Sequence, residues 1–364
     1  MESVCFTGTC PEMTRDELTE KASEKFEVKS SVTKDLDFLV CADPNSGSTK
    51  LEKAKKNGTK VISYEEFLEM LDEDDDENYD DEEGLYTHAQ AKQIMARLRE
   101  AYGLEGARIK TTIAKKSLPM TASKFGGYPY WEKGAEYPHY DSEDEDEAKP
   151  FVLLAQINFA EVPPLPDYPT KGLLQIFTSS DDLYGMDYED ATKQELWRIV
   201  WHDDFSEEKA MSKRELRAMG VKSIAEALEE DDDALFPIEK EYALSFEKIV
   251  TIANPRLNVF EEYVRKAAKD LGLPVYEESA LEMFGENDYN NFFESKIAQH
   301  QIGGFPFFCQ GDQSREGDLL LFQMDSEMKK GICWGDLGVG NFFLSREDLK
   351  NLNFTNVLYN YDCD

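Results

Sequence analysis

The run Phe38-Leu39-Val40-Cys41 decides the fold of the N-terminal part of the chain. Four consecutive apolar residues indicate a strand buried on both faces, and such strands are typical of parallel sheets covered by helices. Residues 4–7 and 60–62 are further short strand-like runs, one before and one after it in the sequence. We therefore expect an α/β unit in this region.

Helix signals alternate with these strands. Thr14 can cap a first helix, Ser48 or Thr49 a second, and Ser63 begins the spacing of a capping box for a third. The predicted order over residues 1–72 is β-α-β-β-α-β-α. This order favours a parallel four-stranded sheet flanked by helices.

Four residues of this unit match the needs of a phosphate pocket, which are a hydroxyl, a free backbone N–H, a cation and a helix N-terminus. Thr7 ends the first strand beside Gly8, which lets an anion approach the backbone. Lys50 falls in the first turn of the second helix, and Arg15 begins the first helix. We interpret Thr7, Gly8, Arg15 and Lys50 as a candidate phosphate-binding site. The alternative is that Thr7-Gly8 is only a tight turn of the fold and that Lys50 is solvated.

Five segments of this unit carry a family resemblance: Phe6-Thr7-Gly8, 31–40, 48–54, 58–62 and Glu66-Phe67. Together they make residues 3–71 similar to a BRCT domain of the type found in bacterial NAD-dependent DNA ligases and in the large subunit of the clamp loader.

The resemblance implies roles for the candidate phosphate residues. In phosphate-binding BRCT domains, a Thr–Gly pair after the first strand and a Lys opening the second helix hold the anion, and Thr7, Gly8 and Lys50 match them. In the clamp-loader type, an Arg at the start of the first helix helps to bind a 5′-phosphate of DNA, and Arg15 matches its spacing. Phe67 lies near the position of the family's usual Trp.

The charge of the chain bears on its partners. The 364 residues include 75 acidic and 40 basic side chains, a formal net charge of -35. Such a chain repels polyanions, which disfavours unaided tight binding to nucleic acid or to an anionic membrane. We therefore expect a phosphorylated protein, or another protein, as the partner, with 5′-phosphorylated DNA as the open alternative and no membrane partner.

Residues 73–84 are predicted to be an acidic linker, because 73–83 hold nine acids and no base. A run of like charges repels itself and extends, so we interpret it as a disordered tether. A docking site for a basic partner is the alternative.

The rest of the chain, residues 85–364, contains an internal duplication. Gly126-Gly127-Tyr128-Pro129-Tyr130 is echoed by Gly303-Gly304-Phe305-Pro306-Phe307, and two further blocks, beginning at Leu153 and at Gly172, return at Leu320 and at Gly338 in the same order. Two copies are too few for a solenoid. We expect two pseudo-symmetric halves of one α+β domain.

These blocks, with Trp334-Gly335-Asp336 and Tyr361-Asp362-Cys363, resemble the YwqG-like family of bacterial proteins. The resemblance implies an α+β domain with an internally duplicated sheet core and brings no known activity or catalytic residue. Gln156 and Gln323 occupy matching positions in apolar strands. Because buried amides need partners, we expect them to bond to backbone at a sheet junction. A shared cleft that they line with Trp334 and Asp336 is the functional alternative.

Other sequence features predict little chemistry. The six cysteines form no CxxC pair and the four histidines have no ligand spacing, so we expect reduced thiols, no metal and no cofactor. We find neither a signal-peptide pattern nor an apolar run of ~20 residues, and we expect a soluble, cytoplasmic protein.

The sequence thus favours a non-enzymatic interaction protein, in which the BRCT module recognises a phosphorylated protein or a phosphate-bearing DNA end and recruits the YwqG-like domain. The alternative is an enzyme or small-ligand binder whose site lies in the duplicated domain, with the BRCT module serving for targeting.

Overall fold

The computed structural model describes residues 2–8, 10, 15–23, 25–42, 48–72, 84–141, 148–294 and 299–363. The chain forms two compact units, residues 1–82 and 83–364. The predicted acidic linker lies outside the described residues except for Gly84.

The first unit contains a parallel four-stranded sheet in the order β2-β1-β3-β4. Its strands are β1 (Ser3–Thr7), β2 (Glu27–Val28), β3 (Phe38–Cys41) and β4 (Lys60–Ser63). Its helices are α1 (Arg15–Ser23), α2 (Thr49–Asn57) and α3 (Tyr64–Asp72). The predicted fold class of this region is confirmed.

Local signals fix the ends of two helices. Ser48 caps α2, because its hydroxyl accepts a hydrogen bond from Leu51 N, and Gly58 ends it in the left-handed conformation at φ 76°. Glu66 accepts a hydrogen bond from Ser63 N at 2.7 Å at the start of α3.

Both faces of the first sheet are covered. All four residues of β3 are buried, alternately in two apolar clusters on opposite faces. Phe67 is completely buried, and its ring centroid lies 5.2 Å from that of Phe6 and 5.3 Å from that of Phe26. A phenylalanine therefore anchors the core near the place where the family usually has Trp.

The second unit contains an antiparallel sheet of ten strands. These are β5 (Leu104–Ile113), β6 (Lys124–Phe125), β9 (Val152–Asn158), β10 (Leu173–Thr178), β11 (Trp197–His202), β12 (Tyr242–Thr251), β13 (His300–Gly303), β14 (Asp318–Asp325), β15 (Val339–Ser345) and β16 (Leu358–Asp362). A separate hairpin joins β7 (His139–Tyr140) and β8 (Lys149–Pro150). The helices are α4 (His88–Tyr102), α5 (Lys213–Ala218), α6 (Ile224–Glu230), α7 (Phe260–Asp270), α8 (Ala280–Tyr289) and α9 (Arg346–Lys350).

The strand order of this sheet is symmetric. It runs β11-β10-β9-β6-β12-β5-β13-β14-β15-β16, so that two outer groups of four strands flank the central pair β12 and β5. The first echoed block follows β6 in one half and begins at the last residue of β13 in the other, while the second block falls on β9 and β14 and the third on β10 and β15. The predicted internally duplicated sheet core is confirmed.

The sheet curls until its two edges meet. Trp197 on the edge strand β11 packs against Phe342 and Tyr359, at ring-centroid distances of 5.7 and 5.3 Å. Tyr359 N, on the opposite edge strand β16, donates a hydrogen bond to Ala191 O at 2.9 Å. The main apolar core lies inside this curl, and α4, α7 and α8 pack in a second cluster.

Candidate functional site

The four predicted phosphate residues of the first unit line one cavity of about 520 Å³. It lies at the carboxyl ends of β1 and β2, the edge at which parallel α/β sheets commonly bind ligands. The lining residues are Phe6, Thr7, Gly8, Arg15, Thr19, Val28, Lys29, Ser30 and Lys50.

Gly8 is required by the shape of this edge. Its φ of 81° is left-handed, and a Cβ there would lie 3.0 Å from Ala42 Cβ. The Tyr64 hydroxyl donates to Thr7 O at 3.3 Å and to Gly8 O at 3.2 Å. Burial raises the pKa of Tyr64, so that this hydroxyl remains a donor. The end of β1 is thus held in place by the start of α3.

Two cations of the cavity are bonded to backbone carbonyls. Lys50 Nζ donates to Phe6 O at 3.0 Å and lies 3.4 Å from Cys5 Sγ. The Arg15 guanidinium donates to Gly8 O and stacks 5.3 Å from the Phe6 ring centroid. Neither cation pairs with a carboxylate among the side chains that the structure describes. Their positive charge is therefore available to an anion.

Sequence reasoning missed a third cation of the cavity. Lys29 follows β2, and its Nζ lies 2.9 Å from Asp35 Oδ2 and 3.6 Å from Glu27 Oε2. The hydrogen bond to Asp35 raises the pKa of Lys29. Its place in the cavity follows from the parallel pairing of β1 with β2, because residues that follow parallel strands meet at one edge of the sheet. Thr19 and Ser30 were missed as well.

In the second unit, Gln156 and Gln323 bond to backbone. Gln156 Oε1 accepts a hydrogen bond from Tyr130 N at 2.8 Å, and its Nε2 donates to Met120 O and Ala122 O in the loop before β6. Gln323 Oε1 likewise accepts from Phe307 N at 2.8 Å, and its Nε2 donates to Gln299 O. Tyr130 and Phe307 close the two echoed glycine-aromatic-proline turns. Each glutamine amide therefore fixes one turn to its own half of the sheet, and we call each of these arrangements an amide clamp.

The clamp has a second amide in both halves. Gln175, opposite Gln156 on the neighbouring strand, donates to Tyr130 O at 2.7 Å. Asn341, opposite Gln323, donates to Phe307 O at 2.8 Å. The strands that carry Gln156 and Gln323 are five positions apart in the sheet order.

Trp334 and Asp336 lie elsewhere. Trp334 is completely buried, with its ring centroid 5.3 Å from that of Tyr184 and 5.6 Å from that of Tyr361. Asp336 is exposed in the turn that Trp334 closes with Gly338. Among the described residues, no hydrogen bond or ring contact joins Trp334 or Asp336 to either glutamine, and the shared cleft stays a prediction.

Lys124 is a buried cation that the sequence did not reveal. Its side chain is completely buried, and Nζ donates to Pro119 O at 3.1 Å. Burial lowers its pKa to about 8. The matching residue of the other half is the neutral Gln301, whose side-chain amide donates to Gly303 O and Phe305 O. The two halves have thus diverged at this position.

Within the described ranges, no three His, Cys, Asp or Glu side chains are grouped so that they could hold a metal ion. None of the helices in these ranges has the length and the apolar character of a membrane span.

Comparison with known proteins separates the chain into two matched regions. The family described as "Domain of unknown function (DUF1963)" matches residues 123–363, and the "BRCA1 C Terminus (BRCT) domain" matches residues 3–71.

Curated relatives match the N-terminal region. The DNA ligase of Treponema denticola is 44% identical over 70 residues, which are 19% of this chain and 11% of the ligase. That of Aquifex aeolicus is 46% identical over 70 residues, 18% of this chain and 9% of the ligase. The DNA ligase of Bradyrhizobium sp. (strain ORS 278) is 42% identical over 73 residues, which are 20% of this chain and 10% of the ligase. The chain thus spans about a tenth of the length of these relatives.

Proposed function

This chain belongs to the DUF1963 family and has a BRCT domain at residues 3–71, and from that premise we propose that it is an interaction protein. Its BRCT domain binds a phosphorylated protein and recruits the DUF1963 domain to that partner.

The observation that carries the proposal is the cavity at the end of β1. Thr7 and Gly8 stand beside two cations, Arg15 and Lys50, that no described carboxylate neutralises. Hydroxyl, backbone and cationic groups together make the donor set that a phosphate monoester requires. The chain as a whole carries a net charge of -35. A cavity lined by cations therefore has the opposite charge to the chain as a whole.

Charge favours a protein partner over DNA. Residues 1–72 hold 15 acidic and 10 basic side chains, and the whole chain carries -35. Duplex DNA presents phosphates along its whole length, and a net negative chain repels them at long range. A phosphorylated peptide brings one local phosphate and few other charges. DNA is the second candidate, because the matched relatives are DNA ligases.

Binding of two kinds of phosphate probe to the full-length chain tests the proposal. One is a library of phosphoserine and phosphothreonine peptides with its unphosphorylated counterpart, and the other is a 5′-phosphorylated duplex with its 5′-hydroxyl counterpart. We expect the phosphopeptides to bind, and Lys50→Met and Thr7→Val each to weaken them about tenfold, as for a lost charge-assisted hydrogen bond.

The matched control is Lys53→Met, which removes the same charge from an exposed position of α2 outside the cavity. Equal weakening by Lys50→Met and Lys53→Met would contradict a defined pocket. Phosphate-dependent binding of the duplex alone, falling steeply with salt, would replace the protein partner with DNA.

A further inference from the structure

A groove of about 500 Å³ lies in the second unit between α6 and the segment 234–240. Its lining residues are Ala225, Leu228, Glu229, Ala234, Leu235, Phe236, Glu239 and Lys240. None of them belongs to the amide clamps.

The floor of this groove is apolar. Leu228 and Phe236 are partly buried against the main core, and Leu235 keeps 47% of its surface exposed. On α6, Ala225, Leu228 and Glu229 are spaced i, i+3 and i+4, so that they share one face of the helix. An exposed leucine that lines the same groove as a partly buried phenylalanine and leucine provides a surface for another apolar side chain.

The wall opposite α6 is held in place by hydrogen bonds. Leu235 N donates to Ser180 Oγ at 3.3 Å, and Glu239 N donates to Gly331 O at 3.3 Å. Between them, Pro237 O accepts from Cys333 N at 2.8 Å. A groove whose wall is already ordered loses little conformational entropy when it is filled.

The rim of the groove is acidic. Residues 229–233 are five consecutive exposed acids, and Glu239 adds a sixth. Two lysines lie near these acids: Lys240, which lines the groove and whose Nζ is 3.8 Å from Glu239 Oε2, and Lys222, which is paired with Glu230. Glu229 and Glu239 line the groove beside its apolar residues, and the exposed acids 230–233 continue the chain between α6 and the opposite wall. This arrangement is complementary to a cationic amphipathic ligand.

We propose that this groove binds an amphipathic helix, rich in lysine and arginine, of a partner protein. The apolar face of such a helix enters the groove at i, i+3, i+4 and i+7 spacing, while its basic flanks face the rim. A second copy of this chain fits poorly, because it carries a net charge of -35. This interface is independent of the phosphate cavity.

Binding of a synthetic helix to the full-length chain tests the proposal. The probe is a labelled leucine–lysine peptide of about 18 residues, long enough to form a helix, with its leucines on one face. We expect it to bind at about 0.15 M salt, and Leu235→Asp to weaken it at least about tenfold, as for a lost apolar anchor. The added carboxylate would by itself attract the peptide, so weakening identifies the apolar contact.

The matched control is Leu281→Asp, which adds the same charge at a leucine with 48% exposure on α8. We expect it to leave the affinity unchanged or slightly higher, and Glu229→Lys to weaken binding and reduce its salt dependence. Equal affinities of Leu235→Asp and Leu281→Asp would overturn the proposal. So would equally tight binding of a peptide of the same composition with its leucines scattered around the helix.

Discussion

The buried ammonium of Lys124 destabilises the second unit near neutral pH. Its side chain is completely buried, its one hydrogen bond goes to Pro119 O, and no described carboxylate lies within ion-pair distance. Lowering its pKa from 10.5 to about 8 corresponds to roughly 3 kcal/mol of unfavourable free energy at pH 7.

We predict that Lys124→Met raises the free energy of unfolding by about 2 kcal/mol at pH 7, because the lost hydrogen bond offsets about 1 kcal/mol of the gain. Urea denaturation followed by tryptophan fluorescence measures it, since all four tryptophans lie between residues 131 and 334 of the second unit. Lys124→Gln should also stabilise, because Gln301 shows that an amide fits the matching position. Lys116→Met, at an exposed lysine, should change stability by under about 0.5 kcal/mol.

The pH dependence gives an independent check. Below pH 8 the lysine is charged in both the folded and the unfolded state, so the full penalty is present. Between about pH 8 and 10.5 the unfolded state binds more protons than the folded one, and the wild-type chain gains stability relative to Lys124→Met. The ionisation penalty should therefore vanish above pH 10.5, where the hydrogen bond to Pro119 O that the variant lacks should leave the wild-type chain more stable by about 1 kcal/mol. A variant less stable than wild type at pH 7, or a difference that does not change with pH, would refute the reasoning.

Three further changes test other parts of the second unit by the same denaturation assay. Gln156→Leu should destabilise by about 3 kcal/mol or more, since it removes the hydrogen-bond partner of Tyr130 N, of the buried Met120 O and of the partly buried Ala122 O; a neutral result would show that the clamp is dispensable. Gly172→Ala should destabilise by about 2–4 kcal/mol, because φ is 104° and the new Cβ would lie 2.1 Å from Trp201 Cζ2; wild-type stability would contradict this. Burial opposes ionisation of Glu327, but its hydrogen bonds outweigh burial and lower its pKa to about 2. Glu327→Gln should destabilise by about 1–2 kcal/mol at pH 7, and this loss of stability should shrink as the pH falls from 4.5 towards 2. A loss that stays constant over this pH range would show that the charge of the Glu327 carboxylate does not stabilise the fold.

Short-range signals in the sequence were enough to predict much of the first unit. Ser48 and the apolar run of β3 act through neighbours a few residues away, and both have the predicted role in the structure. Thr7 and Lys50 could be assigned to one cavity because a parallel α/β order places strand ends and helix starts at the same edge. Lys29 could not, because the two-residue strand before it has no apolar run of its own.

Long-range geometry limited the prediction of the second unit. The echoed blocks revealed the duplication, but not that each glutamine reaches across to a turn 16 or 26 residues away. Lys124 lies between Ser123 and Phe125 in a stretch with no apolar run, and the pairing of β6 with β9 on one side and β12 on the other buries it. Glu229 of the acidic run and Leu235 line the same groove. The sequence alone gives no sign that these two surface residues belong together.

The symmetric strand order has an evolutionary and a folding consequence. Counted along the chain, β5 begins the first repeat and β12 begins the second, yet β5 pairs with β13 and β12 pairs with β6. Each repeat therefore gives its leading strand to the other half, as in a domain-swapped dimer joined into one chain. A single repeat would leave one edge of β6 or of β13 without the strand that now pairs with it. The present halves should unfold together, and separately expressed repeats should be stable only when they are mixed.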